Sequence, residues 1–232
     1  MSLILNIETS SKNCSISLSL KGKLLSNLDI EEDKFKHSEL LTTSIRDILD
    51  QNKFNVNDLS AVAVGTGPGS FTGLRIGFSV AKGLCYPHKI SLIGIPSLKI
   101  LANSVNEDNK FIIPMIRDKG EFFYTTIYNN ELNEIIEPKV EKISNGFLDK
   151  YSDLNYSVLT NTKESFEYIK SLNNSNLELR KESLSSLNMI ELSYESFLEK
   201  RFEDLAYFEP FYIKKPYAVS YTHLTLPTNH PV

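Results

Sequence analysis

The segment Gly65-Thr66-Gly67-Pro68-Gly69-Ser70-Phe71-Thr72-Gly73-Leu74-Arg75-Ile76-Gly77 constrains this chain more than any other. It follows the apolar run Ala61-Val62-Ala63-Val64 and precedes a stretch with helical spacing, so it reads as a strand, a glycine-rich loop and a helix over Thr72–Tyr86, stopped before Pro87. Glycines let a backbone come close to a ligand or to another backbone. Amides at such a loop could cradle an anion, and Gly67, Gly69, Ser70 and Thr72 are the candidates for a phosphate loop. A tight strand-to-helix turn without a ligand explains the same residues equally well. The loop is not a Walker A motif, because no Gly-Lys-Ser/Thr follows at the required spacing, and it lacks the last glycine of a dinucleotide fingerprint.

The helix after the loop is apolar almost all round, with a narrow polar strip at Arg75, Ser79 and Lys82. Each interior glycine costs ~1 kcal/mol against alanine, so Gly73, Gly77 and Gly83 need a compensating close approach. A partner helix would supply it, either from the same chain or from another subunit. The stripe Gly73, Ile76, Gly77, Val80 and Ala81 is therefore a candidate partner surface, together with a helix over Ser38–Gln51 that follows His37 and carries Leu40, Leu41 and Ile45.

Around this core the first half alternates strands and helices. Leu3–Ile7 is a short apolar strand. Ser15–Leu20 alternates serine with Ile16, Leu18 and Leu20, and Leu24–Ile30 returns after a turn at Lys21-Gly22-Lys23. Ser91–Ile95 reads as another strand and Ser97–Ser104 as another helix. The order implies a mixed sheet: antiparallel hairpins first, then right-handed crossovers. A polar cluster at 104–110 divides a lobe over 1–104 from a smaller one over 105–218. In the second, Phe111–Ile116 and Phe122–Tyr128 flank Arg117-Asp118-Lys119-Gly120 as a hairpin, and helices are expected near 162–172 and 189–202. No internal repeat is evident in the residues. The last stretch, 219–232, carries two of the four histidines, two prolines and no Asp, Glu, Lys or Arg, and reads as a non-native tail.

The function classes narrow further. Net charge is −4, from +1 over residues 1–110 and −5 over 111–232, so the chain has no overall reason to seek nucleic acid alone. Two cysteines, Cys14 and Cys85, are too few for a disulfide framework and suit a reducing, cytoplasmic setting. No apolar run reaches the ~18–20 residues of a membrane span, and the N-terminus lacks signal-peptide character. No His-Glu-x-x-His or Cys-x-x-Cys is present, and His37 lacks a second histidine four residues on, so no metal site is expected. Glu8, Thr9 and Ser10 sit between the first two strands. There a carboxylate can hold a metal and hydroxyls can bind phosphate, or all three can serve an ordinary polar turn.

Together, Ile7-Glu8-Thr9-Ser10, His37-Ser38-Glu39-Leu40-Leu41 and the Gly65–Gly77 motif resemble the bacterial TsaB (YeaZ) family. Ala81-Lys82-Gly83-Leu84, Gly94-Ile95-Pro96-Ser97-Leu98 and Glu209-Pro210-Phe211-Tyr212-Ile213 are similar to it as well. The resemblance is dense over 1–104 and thin over 105–208. It implies an α/β fold of the actin and heat-shock-ATPase type, with two ribonuclease-H-like lobes. It also implies a cytoplasmic, non-catalytic part without a cofactor in making threonylcarbamoyladenosine in tRNA. The implied partners are a TsaD-type paralogue that carries the metal, a TsaE-type ATPase, a second copy of the chain, and tRNA reached through the complex. Glu8 departs from the family's usual Asp, and the hairpin around Arg117–Gly120 is short. The rival expectations are an ATP-dependent phosphotransferase of the same fold and a glycoprotease-like peptidase.

Overall fold

The computed structural model describes residues 2–31, 37–105, 111–151, 155–172 and 178–213. The suspected foreign stretch 219–232 lies outside them. The first sheet contains β1 (Leu3–Glu8), β2 (Asn13–Leu20), β3 (Lys23–Glu31), β4 (Ala61–Gly65) and β5 (Ser91–Ile95), in the order β3-β2-β1-β4-β5. Strand β1 pairs antiparallel with β2 and parallel with β4, and β4 pairs parallel with β5. The mixed sheet read from the sequence is thus present. Helices α1 (His37–Gln51) and α2 (Phe71–His88) form the crossovers, and α3 (Ser97–Ala102) follows β5.

The second sheet contains β6 (Phe111–Lys119), β7 (Phe122–Tyr128), β8 (Glu134–Lys142), β9 (Tyr156–Thr160) and β10 (Glu178–Lys181). Its order, β8-β7-β6-β9-β10, repeats that of the first sheet strand for strand. The chain therefore contains a duplicated topology whose residues have diverged past recognition. Helix α4 (Lys163–Leu172) stands where α2 stands in the first lobe, and among the described residues a single 3-10 turn, Leu148–Tyr151, lies in the connection that corresponds to α1. Helix α5 (Ile190–Leu198) ends four residues short of the 189–202 expected.

Burial explains the layering. Every residue of β1 is buried, as expected of a central strand covered on both faces. Leu3, Leu5 and Ile7 face α1 and α2 together with Ile16, Leu18, Val62, Val64, Leu41, Ile45 and Phe78. On the opposite face, Ile4, Ala61, Ala63 and Ile93 meet α3, α5 and the second sheet's Ile112, Ile116, Tyr124 and Leu159. A third cluster, with Met115, Phe123, Val158 and Ile169, lies beyond the second sheet under α4.

Several boundaries differ from the sequence reading for local reasons. Helix α2 continues through Pro87 to His88 and is closed by Lys89 in the left-handed conformation, whose N–H reaches the Cys85 carbonyl. A proline this close to the end removes one hydrogen bond, from the exposed Gly83 carbonyl, and breaks nothing downstream. Strand β6 extends to Lys119, so the hairpin turns at Gly120-Glu121.

The serine face of β2 is the larger surprise. Ser15, Ser17 and Ser19 are fully buried, because the 3-10 turn Ser186–Met189 returns from the end of the chain to cover them. Ser15 Oγ donates to Ser186 Oγ (2.8 Å), and Ser17 Oγ donates to the Ser186 carbonyl (3.0 Å). Asp29 anchors the rim of this seam, accepting from Asn13 Nδ2 (2.9 Å), Ser185 Oγ (2.9 Å) and Asn27 Nδ2 (2.6 Å). Partial burial pushes its carboxyl up, but the hydrogen bonds from Ser15, Asn13, Asn27 and Ser185 outweigh that and hold it below the usual 3.8.

A lowered folded-state pKa stabilises above the unfolded value and is lost as pH falls through the folded one. Asp29→Asn is thus expected to lower the melting temperature at neutral pH, with the gap to wild type closing below 3.8. Thermal melts of both proteins across that range check it.

Candidate functional site: the glycine loop and the cleft between the lobes

The Gly65–Gly77 motif lies where β4 enters α2, beside the turn Thr9–Lys12 that joins β1 to β2. Its glycines are occupied from within the chain. A Cβ at Gly65 would overlap the Glu8 carboxylate, one at Gly69 the Ser10 carbonyl oxygen, and one at Gly73 the Thr9 carbonyl oxygen. At Gly77 it would meet Thr9 Oγ1. Hydrogen bonds fasten the same contacts: Thr9 Oγ1 donates to the Gly73 carbonyl (2.8 Å), and the Ser70 N–H donates to the Ser10 carbonyl (2.6 Å). Ser70 Oγ caps α2 by accepting from the Gly73 N–H (3.2 Å).

Glu8 is turned under this loop. It is fully buried, accepts from the Ser10 N–H (2.6 Å) and from Ser97 Oγ (3.3 Å), and occupies the space that Gly65 leaves. Ser97 in turn accepts from the Gly67 N–H (3.1 Å) and donates its own N–H to the Gly67 carbonyl (2.8 Å). Loss of hydration raises the Glu8 pKa above 4.5, against the opposing hydrogen bonds of Ser10, Ser97 and Thr9.

The C-terminal residues complete the arrangement. Beyond α5 they run along β5 to the end of β4 as a strap. The Glu203 N–H donates to Leu92 O (2.9 Å) and the Phe211 N–H to Thr66 O (2.8 Å). Gly94 leaves room for the Phe208 ring, which lies 5.2 Å from that of Phe78. Gly67, at φ +96°, adopts a conformation that other residues rarely take and passes close to the Phe211 carbonyl.

Between the lobes lies a cleft of about 800 Å³. Ser10, Lys12 and Ser70 line one wall, and Arg117, Asn161 and Glu164 line the other. Ser10 is 2% exposed, with its hydroxyl beside the Glu8 carboxylate. The Arg117 guanidinium lies over the Phe123 and Tyr168 rings, 5.7 and 4.9 Å from their centroids. Of the expected phosphate-loop residues, Ser10, Gly69 and Ser70 line this cleft, whereas Glu8 is folded beneath it. The second-lobe lining was missed in the sequence. Its only signal was the hairpin at Arg117, and nothing marked which side of it faced the first lobe.

The expected partner surface divides in two. Leu41, Ile45, Gly73, Gly77 and Ala81 are buried within this chain, so they support the helices and cannot touch another molecule. Leu40, Ile76 and Val80 are half-buried, and Ile76 and Val80 pack against the first-lobe core with part of their surface still open. Ile76 and Val80 help line a hollow of about 430 Å³ with Phe71, Thr72, Arg75 and Ser79. His37 begins α1, and its side chain lies outside the described residues. Among the described residues, no three His, Cys, Asp or Glu side chains gather as metal ligands, and no helix is long and apolar enough to cross a membrane. Cys14 and Cys85 are buried, and burial pushes the Cys85 thiol up to about 12, far from a reactive thiolate.

Gly77→Leu would press on Thr9 and disturb the monomer itself, so it cannot serve as a clean interface variant. Gly73→Ala should lower folding stability by about 1–2 kcal/mol, because overpacking against the Thr9 carbonyl exceeds the gain in helix propensity. Gly83, with nothing within 4 Å, should show the opposite sign on change to alanine, a gain of up to ~1 kcal/mol. Urea unfolding of the two variants checks both signs. Glu8→Gln should raise the melting temperature at neutral pH. The stability tied to a raised carboxyl pKa is complete below 4.5 and is lost as pH rises through the folded value, so the variant's advantage should vanish on acidification below 4.5.

Comparison with known proteins agrees with this architecture. Residues 31–224 match the protein-family model described as "TsaD: tRNA N6-adenosine threonylcarbamoyltransferase". The chain is 34% identical over 131 residues to the tRNA threonylcarbamoyladenosine biosynthesis protein TsaB of Escherichia coli, a match covering 55% of this chain and 56% of that protein. With the TsaB protein of Haemophilus influenzae it shares 25% over 232 residues, 91% of this chain and 93% of the relative. The chain thus spans little more than half of the first relative and nearly all of the second. A YeaZ structure from Pseudomonas aeruginosa superposes with a TM-score of 0.75 at 21% identity, covering 91% of this chain and all of that one. An inorganic polyphosphate/ATP-glucomannokinase from an Arthrobacter strain follows the same two-lobed course at a TM-score of 0.52 and 10% identity, covering 86% of this chain. The fold is therefore the two-lobed, actin-like one, and the chain belongs to the family of the TsaD model, within its TsaB (YeaZ) group.

Proposed function

We propose that this chain is a non-catalytic docking subunit in the making of threonylcarbamoyladenosine in tRNA. It would hold a TsaD-type paralogue through the outward side of α1 and α2. The observation that carries this reading is the fate of the glycine motif. Inward, its glycines seat the chain's own Glu8–Ser10 turn; outward, α2 offers an apolar hollow around Ile76 and Val80 with Arg75 at its rim. Such a rim-and-hollow composition suits protein contact, since aromatic, aliphatic and Arg side chains carry most interface energy. The relatives named TsaB, and the family model named for the transferase, support a partner of that kind. A TsaE-type ATPase would join the same assembly, in the cytoplasm, and tRNA would be reached through the complex. The acidic second half of the chain is consistent with that indirect route.

The rival enzyme readings find less support. A phosphotransferase would want the β1 carboxylate facing the cleft, and Glu8 is hydrogen-bonded away from it. A peptidase would want an activated nucleophile, and burial disfavours the Cys85 thiolate.

Ser79→Glu, at an exposed position that lines the hollow, tests the docking reading. Co-purification with a TsaD-type partner is expected to fall ~10- to 100-fold with an unchanged melting temperature, as for an interface side chain worth ~1.4–2.8 kcal/mol. Retention at the wild-type ratio would contradict it.

A further inference from the structure

Helix α2 carries no Asp or Glu in its 18 residues. Its open face holds cations instead: the exposed Arg75, the half-buried Lys82 seven residues on, and the exposed Lys89 at the C-cap after seven more. Seven residues are close to two helical turns, so Arg75 and Lys82 lie on one line, about 10.5 Å apart along the axis. Ser79 and the 80% exposed Tyr86 share that face. None of the three cations makes an ion pair with a described residue. Other surface cations of this chain do have an acid beside them: Arg46 has Asp47, Lys142 has Glu121 and Arg201 has Glu199.

The helix does not account for this row by itself. Its dipole favours Lys89 at the C-terminal end but disfavours Arg75 in the second turn. The Arg75 guanidinium lies 5.2 Å from the centroid of the Phe71 ring, which holds the charge at the rim of the hollow without neutralising it. Beside the row, Ile76 and Val80 supply the apolar floor. A line of unmatched cations along an apolar hollow is complementary to an amphipathic helix with carboxylates along one edge. RNA would match the charge but not the floor, because bases stack on rings and Ile76 and Val80 offer none. Resting on the docking reading above, we propose that the partner seats an acidic amphipathic helix along α2. Its apolar side chains fill the hollow, and Asp or Glu side chains about seven residues apart face Arg75 and Lys82.

Surface plasmon resonance of the full-length chain on an immobilised TsaD-type partner tests the charge row. The variants are Arg75→Glu, Lys82→Glu and, as a control of equal charge change, Lys181→Glu at the exposed end of β10. Wild-type affinity should fall ~10-fold between about 50 and about 500 mM NaCl, because salt screens exposed charges. Arg75→Glu and Lys82→Glu should each weaken binding at least ~10-fold at low salt, chiefly through slower association, and should flatten the salt dependence. Lys181→Glu should do neither. Melts establish that each variant is folded. An acid at position 75 suits the helix dipole, so Arg75→Glu carries the test should Lys82→Glu unfold. Wild-type binding by both charge variants, with no salt dependence, overturns the proposal. If Ser79→Glu still weakens docking in that case, the docking reading survives without it; if Ser79→Glu also binds as wild type does, both fall. A tRNA gel shift abolished in Lys82→Glu while partner binding is unchanged overturns the proposal as well and gives the row to RNA.

Discussion

The contact on which the first lobe depends is the close approach of the Glu8–Ser10 turn to the first two turns of α2. Carbonyl oxygens of Thr9 and Ser10 lie where Gly73 and Gly69 would otherwise carry a Cβ, and Thr9 Oγ1 completes the fit at Gly77. Three elements are fixed at once: the end of β1, the start of α2 and, through Ser97, the start of α3. The intrinsic cost of glycine inside a helix, ~1 kcal/mol each, is offset here by seating backbone against backbone. Glu8 follows from the same geometry. With Gly65 beneath it, a longer carboxylate fits under the loop, and the cleft wall is left to Ser10.

The second lobe repeats the strand order of the first but not its support. Its crossover between β8 and β9 contains a 3-10 turn where the first lobe has the fifteen-residue α1, and the chain then returns to the first lobe through Ser183–Ile213. That return covers the serine face of β2, packs α5 beneath the first sheet and lays the strap over the glycine loop. The two lobes are thus tied by the last segment of the chain as well as by the core between the sheets. The cleft between them is bordered by Phe211–Ile213 of that segment.

The sequence made the first lobe legible because its elements carry strong periods and clear punctuation. Ala61–Val64 and the helix after it could hardly be anything else. The second lobe hid its strands for physical reasons. Strand β8 is an edge whose alternation is broken by Pro138 and charges, and β10 is too short for any period. Periodicity told which side chains share a face of α2, but not what covers that face. Gly73 and Gly77 therefore read as a partner stripe when their partner is Thr9, eight residues from the start of the chain. The buried serines of β2 are a similar case, since hydroxyls satisfied by a turn some 170 residues away look like a solvent face. In the candidate site, the loop and Glu8–Ser10 were visible beforehand, whereas Ser97, Arg117 and the strap became visible only in three dimensions.

The proposed docking role requires the glycine loop to be filled by the chain itself and not by a nucleotide. Amide exchange at Ser10, Ser70 and Phe211, with and without Mg²⁺-ATP, tests it most directly. These amides donate to Glu8, Ser10 and Thr66 within the chain, so they should be protected without nucleotide and unchanged by its addition. Rapid exchange that slows only when Mg²⁺-ATP is added would show a loop built to receive a phosphate and would contradict the account.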